Sequence, residues 1–471
     1  MDELVRMSAT SAVAALKAGA VKASELVEAA ARRIEAVEPK LNALPILDLD
    51  RARDAAKRRE DRGVRPSDHP ADLAGLPIAI KDLIDVQGLP TTYGCPLFKD
   101  NIATTSDPLV TLLQSRGANV IAKSNSPEFG MLPVTDNRVF GATATPYATD
   151  RTCGGSSGGA AAAVASGEVW LAHGSDVGGS LRIPAAFCGV VGIRPSPGRV
   201  PRAPSKRAFS PLSVQGPMAR SVADVALFLD AMSAHAPKDA LTQQEIPGQF
   251  SRAVAAARPP QRVAFALDLG LGGVDAEVAE VARAAVAKFA DMGVELVEAR
   301  PDFGRIDLLF QRLICFNYLT ERAAFTDANR DQLEPVHGIV IDAARKMTIE
   351  QLAEAQRWRA ELYDRMAIFF ETYDAFVTPT VGVTPFAKTL RGGADVDEWA
   401  GSNPPRWFHQ CWGTVPLSNP VVALPAGFTR ENLPVSVQIV VPQRREDLAL
   451  SYGKCLEDAL ALPTNAPIDP R

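Results

Sequence analysis

The sequence is short of the residues on which metal and disulfide chemistry depend. Its six cysteines (95, 153, 188, 315, 411 and 455) are scattered, with no CxxC pair. This predicts neither a zinc site nor a disulfide framework, and fits a reduced, cytoplasmic protein with incidental thiols. The five histidines (69, 173, 235, 337 and 409) are equally dispersed, with no HExxH and no carboxylate cluster at ligand spacing. No metal and no cofactor are therefore expected. No apolar run approaches the ~18 residues of a membrane span. The start, Met1-Asp2-Glu3-Leu4, lacks the basic-then-apolar order of a secretory leader. Net charge is −5, so the basic excess of a nucleic-acid binder is missing too. The stretch Arg194 to Arg207 is basic, but four prolines break it and it reads as a loop. What the chain does have is core: 46% of its 471 residues are hydrophobic and 22% charged, ordinary proportions for a globular protein.

Residues 8 to 38 read as two helices, with Ser24 as cap of the second and Pro39 as its stop. A polar, proline-containing stretch at 60 to 75 reads as a linker onto the main body. Short apolar runs then alternate with helical patterns: Ile78–Ile80, Val120–Ala122, Val169–Ala172 and Val263–Leu267. Ser221 is a helix cap with Asp224 in the first turn. An Ala/Val-rich helix spans 275–292, closed by Gly293 and followed by a strand at Val294–Val297. The alternation predicts α/β architecture around a mixed or parallel sheet. Residues 385–410, Gly/Pro-rich with Trp399 and Trp407, read as a long surface loop or cap.

Three segments carry candidate chemistry. Ser180 stands in Gly174-Ser175-Asp176-Val177-Gly178-Gly179-Ser180, Ser156 in Cys153-Gly154-Gly155-Ser156-Ser157-Gly158-Gly159, and Lys81 at the end of Leu76-Pro77-Ile78-Ala79-Ile80. An alcohol needs a base and donors aimed at a developing oxyanion. Glycines beside Ser180 let backbone N–H groups approach a carbonyl closely. A lysine stripped of water falls from ~10.4 towards ~7–8, where it can serve as that base. Each segment also has a plainer reading. The glycines suit any tight turn, and a lysine at a strand end can simply reach for water. The Gly154–Gly159 run resembles an anion cradle, but lacks the GK[ST] of a phosphate loop. Gly154-x-Ser156-x-Gly158 also matches a nucleophile elbow, with His337 or His409 as base. The polar, proline-broken 145–152 stretch weakens that elbow and a dinucleotide fold alike, since both need a strand leading into the glycines.

Taken together, the segments resemble the amidase signature family of serine hydrolases. The resemblance runs in order through Gly75–Asp82, Ala122–Gly130, Gly154–Gly159, Ser175–Pro184, Phe187–Gly192 and Gly216–Asp224. Weaker echoes lie at Tyr373–Thr380 and Leu433–Ile439. It implies a single α/β domain with a central mixed sheet covered by helices on both faces and an N-terminal helical segment. The expected division is 1–65 for that helical segment, packing on the core, and 66–471 for the catalytic domain. The motifs are strongest at 70–235, and a variable substrate or cap region falls at about 300–415. The resemblance implies a Ser–Ser–Lys triad: Ser180 as nucleophile, Ser156 as proton relay after a cis peptide bond, and Lys81 as base. Val177, Gly178, Gly179 and Ser180 match the oxyanion-hole backbone. Asp176, Arg182 and Ser157 match positions that hold the loop, and Gly130, Met131 and Leu132 match the acyl pocket. Residues 310–320 and 399–412, with Phe316, Trp407 and Trp412, are expected to close the leaving-group side.

The implied activity is hydrolysis of an amide, or of a related carbamate (urethane) or ester, through a seryl acyl-enzyme. The expected substrate is a neutral small molecule with an apolar or aryl acyl group. Neither nucleic acid nor membrane is an expected partner, and the chain is expected to be a monomer or homodimer. Two alternatives stand beside this: an α/β-hydrolase using Ser156, and the glutaminase (A-type) subunit of a tRNA-dependent amidotransferase. Such subunits typically carry Gln where this chain has Ile183.

Overall fold

The computed structural model describes residues 2–63, 67–202, 208–390 and 406–471. Its strands are β1 (Ile46–Leu47), β2 (Pro77–Lys81), β3 (Asn119–Ser124), β4 (Ala144–Thr145), β5 (Ala148–Thr152), β6 (Leu171–Asp176), β7 (Val191–Arg194), β8 (Val214–Ala219), β9 (Arg262–Phe265), β10 (Glu295–Glu298), β11 (Ala375–Pro379), β12 (Val421–Phe428) and β13 (Pro434–Val440). Eleven of these form one sheet in the order β1-β3-β2-β6-β8-β7-β12-β13-β11-β9-β10. The β3-β2-β6 run and the β11-β9-β10 run are parallel, and the pairings between them are antiparallel. The sheet is therefore mixed, as expected.

Side chains along a strand alternate between faces, and here they feed two cores. Val263, Ala375, Val377 and Ile439 join the larger core, whereas their neighbours Ala264, Phe376 and Val440 join the second. Helices Val222–Met232, Ala276–Asp291 and Glu446–Leu460 supply the first core with residues such as Phe228, Phe289 and Leu456. Helices Ile306–Asn329 and Ile349–Thr372 supply the second with Phe310, Trp358 and Leu362. Both sheet faces are thus covered.

The N-terminal reading needs correction in detail. The helices are Ala9–Ala18, capped by Ser8, and Ala23–Leu41. Ser24 lies inside the second helix. Lys22 holds the cap position, and its N–H donates to the Glu25 carboxylate at 2.7 Å. Pro39 does not stop that helix. A proline costs it one backbone donor, and the chain turns only at Asn42, whose φ is 54°. A further helix, Leu49–Asp61, precedes the stretch read as a linker and takes in only its first two residues. β1 pairs with β3 through Ile46↔Lys123, so the N-terminal residues also extend the sheet. Ser221 caps its helix as expected, accepting from Asp224 N–H. Of the proposed loop at 385–410, residues 391–405, including Trp399, lie outside the described residues.

A second correction bears on the site. β4 and β5 form a two-stranded antiparallel ribbon, and β5 leads straight into the Cys153–Gly159 loop. A strand does precede these glycines, in spite of Pro146. Its polar sequence reflects a half-buried ribbon lying off the central sheet.

Candidate active site

Two neighbouring parallel strands and a glycine loop bring the candidate residues together. Lys81 ends β2, Ser175 and Asp176 end β6, and the Gly154–Gly159 loop enters helix Gly158–Ser166. A β-carbon at Gly155 would fall 2.7 Å from the Val134 backbone, so only glycine fits there. The Gly155–Ser156 peptide is cis.

Lys81 is completely buried. Its Nζ lies 2.7 Å from Ser156 Oγ, 2.9 Å from Ser157 Oγ and 3.2 Å from Ser175 Oγ. All three partners are hydroxyls, and Lys81 makes no ion pair among the described residues. Burial therefore governs the amine, pulling it from 10.5 to about 7, while the nearby Asp176 charge acts weakly the other way. The adjoining His173 is also wholly enclosed. Its Nδ1 accepts from the Lys81 N–H at 3.3 Å, and its Nε2 faces Gln215 Oε1 at 2.8 Å. Burial, reinforced by Lys81, drives its basicity down to about 3, so the ring is neutral.

Ser180 stands in the turn between β6 and helix Arg182–Cys188. Asp176 shapes this turn. It accepts from the Gly179 N–H at 2.9 Å, the Leu181 N–H at 3.1 Å and Arg182 Nε at 3.0 Å, and Arg194 Nη1 approaches at 3.4 Å. Burial alone would raise the carboxyl, but Arg182 and Arg194 outweigh it and hold Asp176 at about 2. Gly179 has φ 121°, and a side chain there would strike Cys411 at 2.7 Å. The Ser180 hydroxyl makes no hydrogen bond among the described residues, to Ser156 or to any other group.

Ser156 and Ser180 open onto a cavity of about 670 Å³. A family model described as Amidase matches residues 25–450. The chain belongs to the amidase signature family. It is 34% identical to an acylamidase of Rhodococcus erythropolis, over 98% of this chain and 97% of that one. It is 33% identical to an indoleacetamide hydrolase of Bradyrhizobium diazoefficiens, over 96% of this chain and 86% of the other. Among solved structures, a bacterial aryl acylamidase of the family superposes with a TM-score of 0.87 at 27% identity, covering 98% of both chains. The chain is accordingly an amide hydrolase, and the Ser–Ser–Lys arrangement is general to its family.

The amidase cavity takes in Gly130, Met131 and Leu132, Val177 and Gly178, and Trp412. Phe316 and Trp407 lie outside its lining. Helix Ile306–Asn329 presents Phe310, Ile314, Asn317, Tyr318, Glu321 and Phe325 instead, the face set by the helical repeat. Trp407 stacks on Phe187 at 5.6 Å behind the wall. Sequence reasoning missed Arg194, Thr414 and Gln438, which complete the Asp176–Arg182 cluster. Arg182 Nη1 reaches Gln438 Oε1 at 2.9 Å and Thr414 Oγ1 at 3.2 Å. The Leu433–Ile439 echo was the one signal that pointed to Gln438. Asp107, Arg202 and Arg322 in the cavity wall left no such trace. Neither histidine proposed as a base for Ser156 is bonded to it: His337 is bonded to Tyr318, and His409 packs on Trp412 at 4.4 Å. No helix among the described residues is long and apolar enough to cross a membrane.

Proposed function

We propose that Ser180 attacks the substrate carbonyl and that neutral Lys81, acting through Ser156, takes its proton. The observation that carries this reading is Lys81 itself: enclosed, with its pKa pulled down to about 7 so that the neutral amine is well populated at pH 7, and 2.7 Å from Ser156 Oγ. Proton counting supports the relay. A neutral amine has two N–H donors and one lone pair. Ser157 spends its own proton on the Ser175 carbonyl at 3.2 Å, so it accepts from Lys81. With Ser175 as second acceptor, Ser156 is left to donate into the lysine lone pair and to receive from Ser180.

Attack forms the Ser180 Oγ–C bond, and the carbonyl becomes an oxyanion. The N–H groups of Val177, Gly178 and Ser180 have no acceptor among the described residues, whereas that of Gly179 is engaged by Asp176. We therefore assign the oxyanion to the first three and give Gly179 a shaping role. Collapse breaks the C–N bond as the relay returns the proton to the leaving amine. Water then repeats the sequence on the acyl-enzyme and restores Ser180. Asp176, Arg182 and Ser157 act by holding the loop and the lysine.

The apolar wall of Leu83, Ile84, Met131 and Leu132, continued by Phe129, supports an apolar or aryl acyl group. Carbamates and activated esters present the same electrophile and fall within the proposed range. A turnover panel of anilides, primary amides, carbamates and 4-nitrophenyl esters tests it. Ser180→Ala should abolish turnover of every substrate that the wild type accepts. Phenylmethylsulfonyl fluoride should label Ser180, and an adduct on Ser156 would reverse the assignment of the two serines.

A further inference from the structure

Gln215 stands in β8 directly opposite Ser175 of β6, whose Oγ is 3.2 Å from Lys81 Nζ. Residues paired in this way share a face of the sheet, with β-carbons ~5 Å apart. Gln215 is buried, yet it lines the cavity that holds Ser156 and Ser180. With His173, Ser175 and Ser213 it gives that cavity a polar corner where β6 and β8 meet, distinct from the apolar wall of Leu83, Met131 and Leu132.

A chain of hydrogen bonds fixes the Gln215 amide. A backbone N–H can only donate, so the Lys81 N–H, 3.3 Å from His173 Nδ1, makes that nitrogen an acceptor. Burial and the neighbouring Lys81 amine keep the ring neutral. A neutral imidazole carries one N–H, which therefore sits on Nε2. This nitrogen lies 2.8 Å from Gln215 Oε1, the carbonyl oxygen that receives its proton. Both N–H donors of the Gln215 amide are then left over. Its Nε2 has no hydrogen-bond partner among the described residues, and it is not sealed inside the protein. The strand that carries the base thus sets, through His173, the direction of two donors beside the relay.

We propose that Gln215 is a catalytic residue of the second half-reaction, donating from Nε2 to the oxygen of the water that attacks the acyl-enzyme. This rests on the acyl-enzyme reading above. The water oxygen has two lone pairs. One forms the bond to the acyl carbon, and the other accepts from Gln215. A water proton passes to Ser156 as the Ser156 proton passes to Lys81. The bond from the acyl carbon to Ser180 Oγ then breaks, the relay returns a proton to Ser180, and the carboxylic acid leaves. Gln215 neither gains nor loses a proton; it turns the water so that a proton points at the relay. A water held in a cavity needs several polar partners, and this corner supplies them.

The test is how the acetyl-enzyme, formed by the full chain from 4-nitrophenyl acetate, divides between water and added hydroxylamine. This division is independent of which step limits turnover. The attacking nitrogen of hydroxylamine has one lone pair and spends it on the acyl carbon, so it has none to offer Gln215. In Gln215→Leu the ratio of acetohydroxamate to acetate should therefore rise about tenfold, the order of one lost neutral hydrogen bond. Should that variant not fold, Gln215→Met removes the same donor and must raise the ratio equally. An unchanged ratio in a folded variant overturns the proposal, because a merely structural role slows both nucleophiles alike. A wild type that forms acetate but no hydroxamate would instead overturn the acyl-enzyme reading itself.

Discussion

Lys81 and Asp176 lie on neighbouring strands of one sheet, both completely buried, and end in opposite states of charge. Lys81 has only hydroxyl partners, so lost hydration decides its state and the amine sits near neutrality. Asp176 meets two guanidiniums and two backbone N–H groups, so it stays ionised against the same burial. Burial by itself does not set protonation; the partners supplied with it do. On the proposed mechanism, the first cluster transfers protons and the second holds a turn.

The comparison can be broken most severely at the lysine. Lys81→Met should cost ~10²–10⁴-fold in kcat/KM, the usual worth of a positioned base. Its stability at neutral pH should hold or rise, since no buried charge is orphaned and burial no longer opposes a protonated amine. Asp176→Asn should do the reverse, removing the anion that two buried arginines require. A loss of ~3–5 kcal/mol is expected in denaturant melts, the cost of breaking a buried ion pair from one side. Equal stability losses in the two variants would erase the distinction.

Titration sharpens the same contrast. Only neutral Lys81 can accept the proton, so kcat/KM should rise with pH through about 7 and then level. An ascending limb displaced by two or more pH units would contradict this. Stability separates the two groups further. The folded Asp176 carboxyl is depressed to about 2, so its contribution is complete above the ordinary carboxylate range and is lost as pH falls from about 4 towards 2. The unfolded chain protonates Lys81 up to 10.5 while the fold does not, so this group adds stability as pH climbs from about 7 to 10.5. Lys81→Met should flatten that alkaline gain and leave the acid transition alone. The smallest effect is expected at Gln438→Leu, which removes one acceptor from Arg182. It should cost roughly 1–3 kcal/mol of stability, with kcat/KM following the integrity of the loop.

Legibility in the sequence followed distance along the chain. The loops around Ser156 and Ser180 could be read because their glycines answer to local geometry: left-handed φ at Gly154 and Gly179, and close backbone approach at Gly155. Ser221 could be read as a cap because capping is local. Ser24 was misplaced because the neighbouring Glu25 closed the cap on Lys22 instead. β5 was missed because a half-buried ribbon shows no apolar run.

The sequence by itself determined the family, the ordered Lys81, Ser156 and Ser180, and the mixed α/β plan, since each rests on residue types and short-range spacing. Only the tertiary structure decided the state of Lys81, because desolvation is a property of the packed interior. It alone also joined Arg182 to Thr414 and Gln438, and Lys81 to His173 and Gln215. Those partners are far apart along the chain, and a residue type carries no trace of the neighbour that folding brings to it.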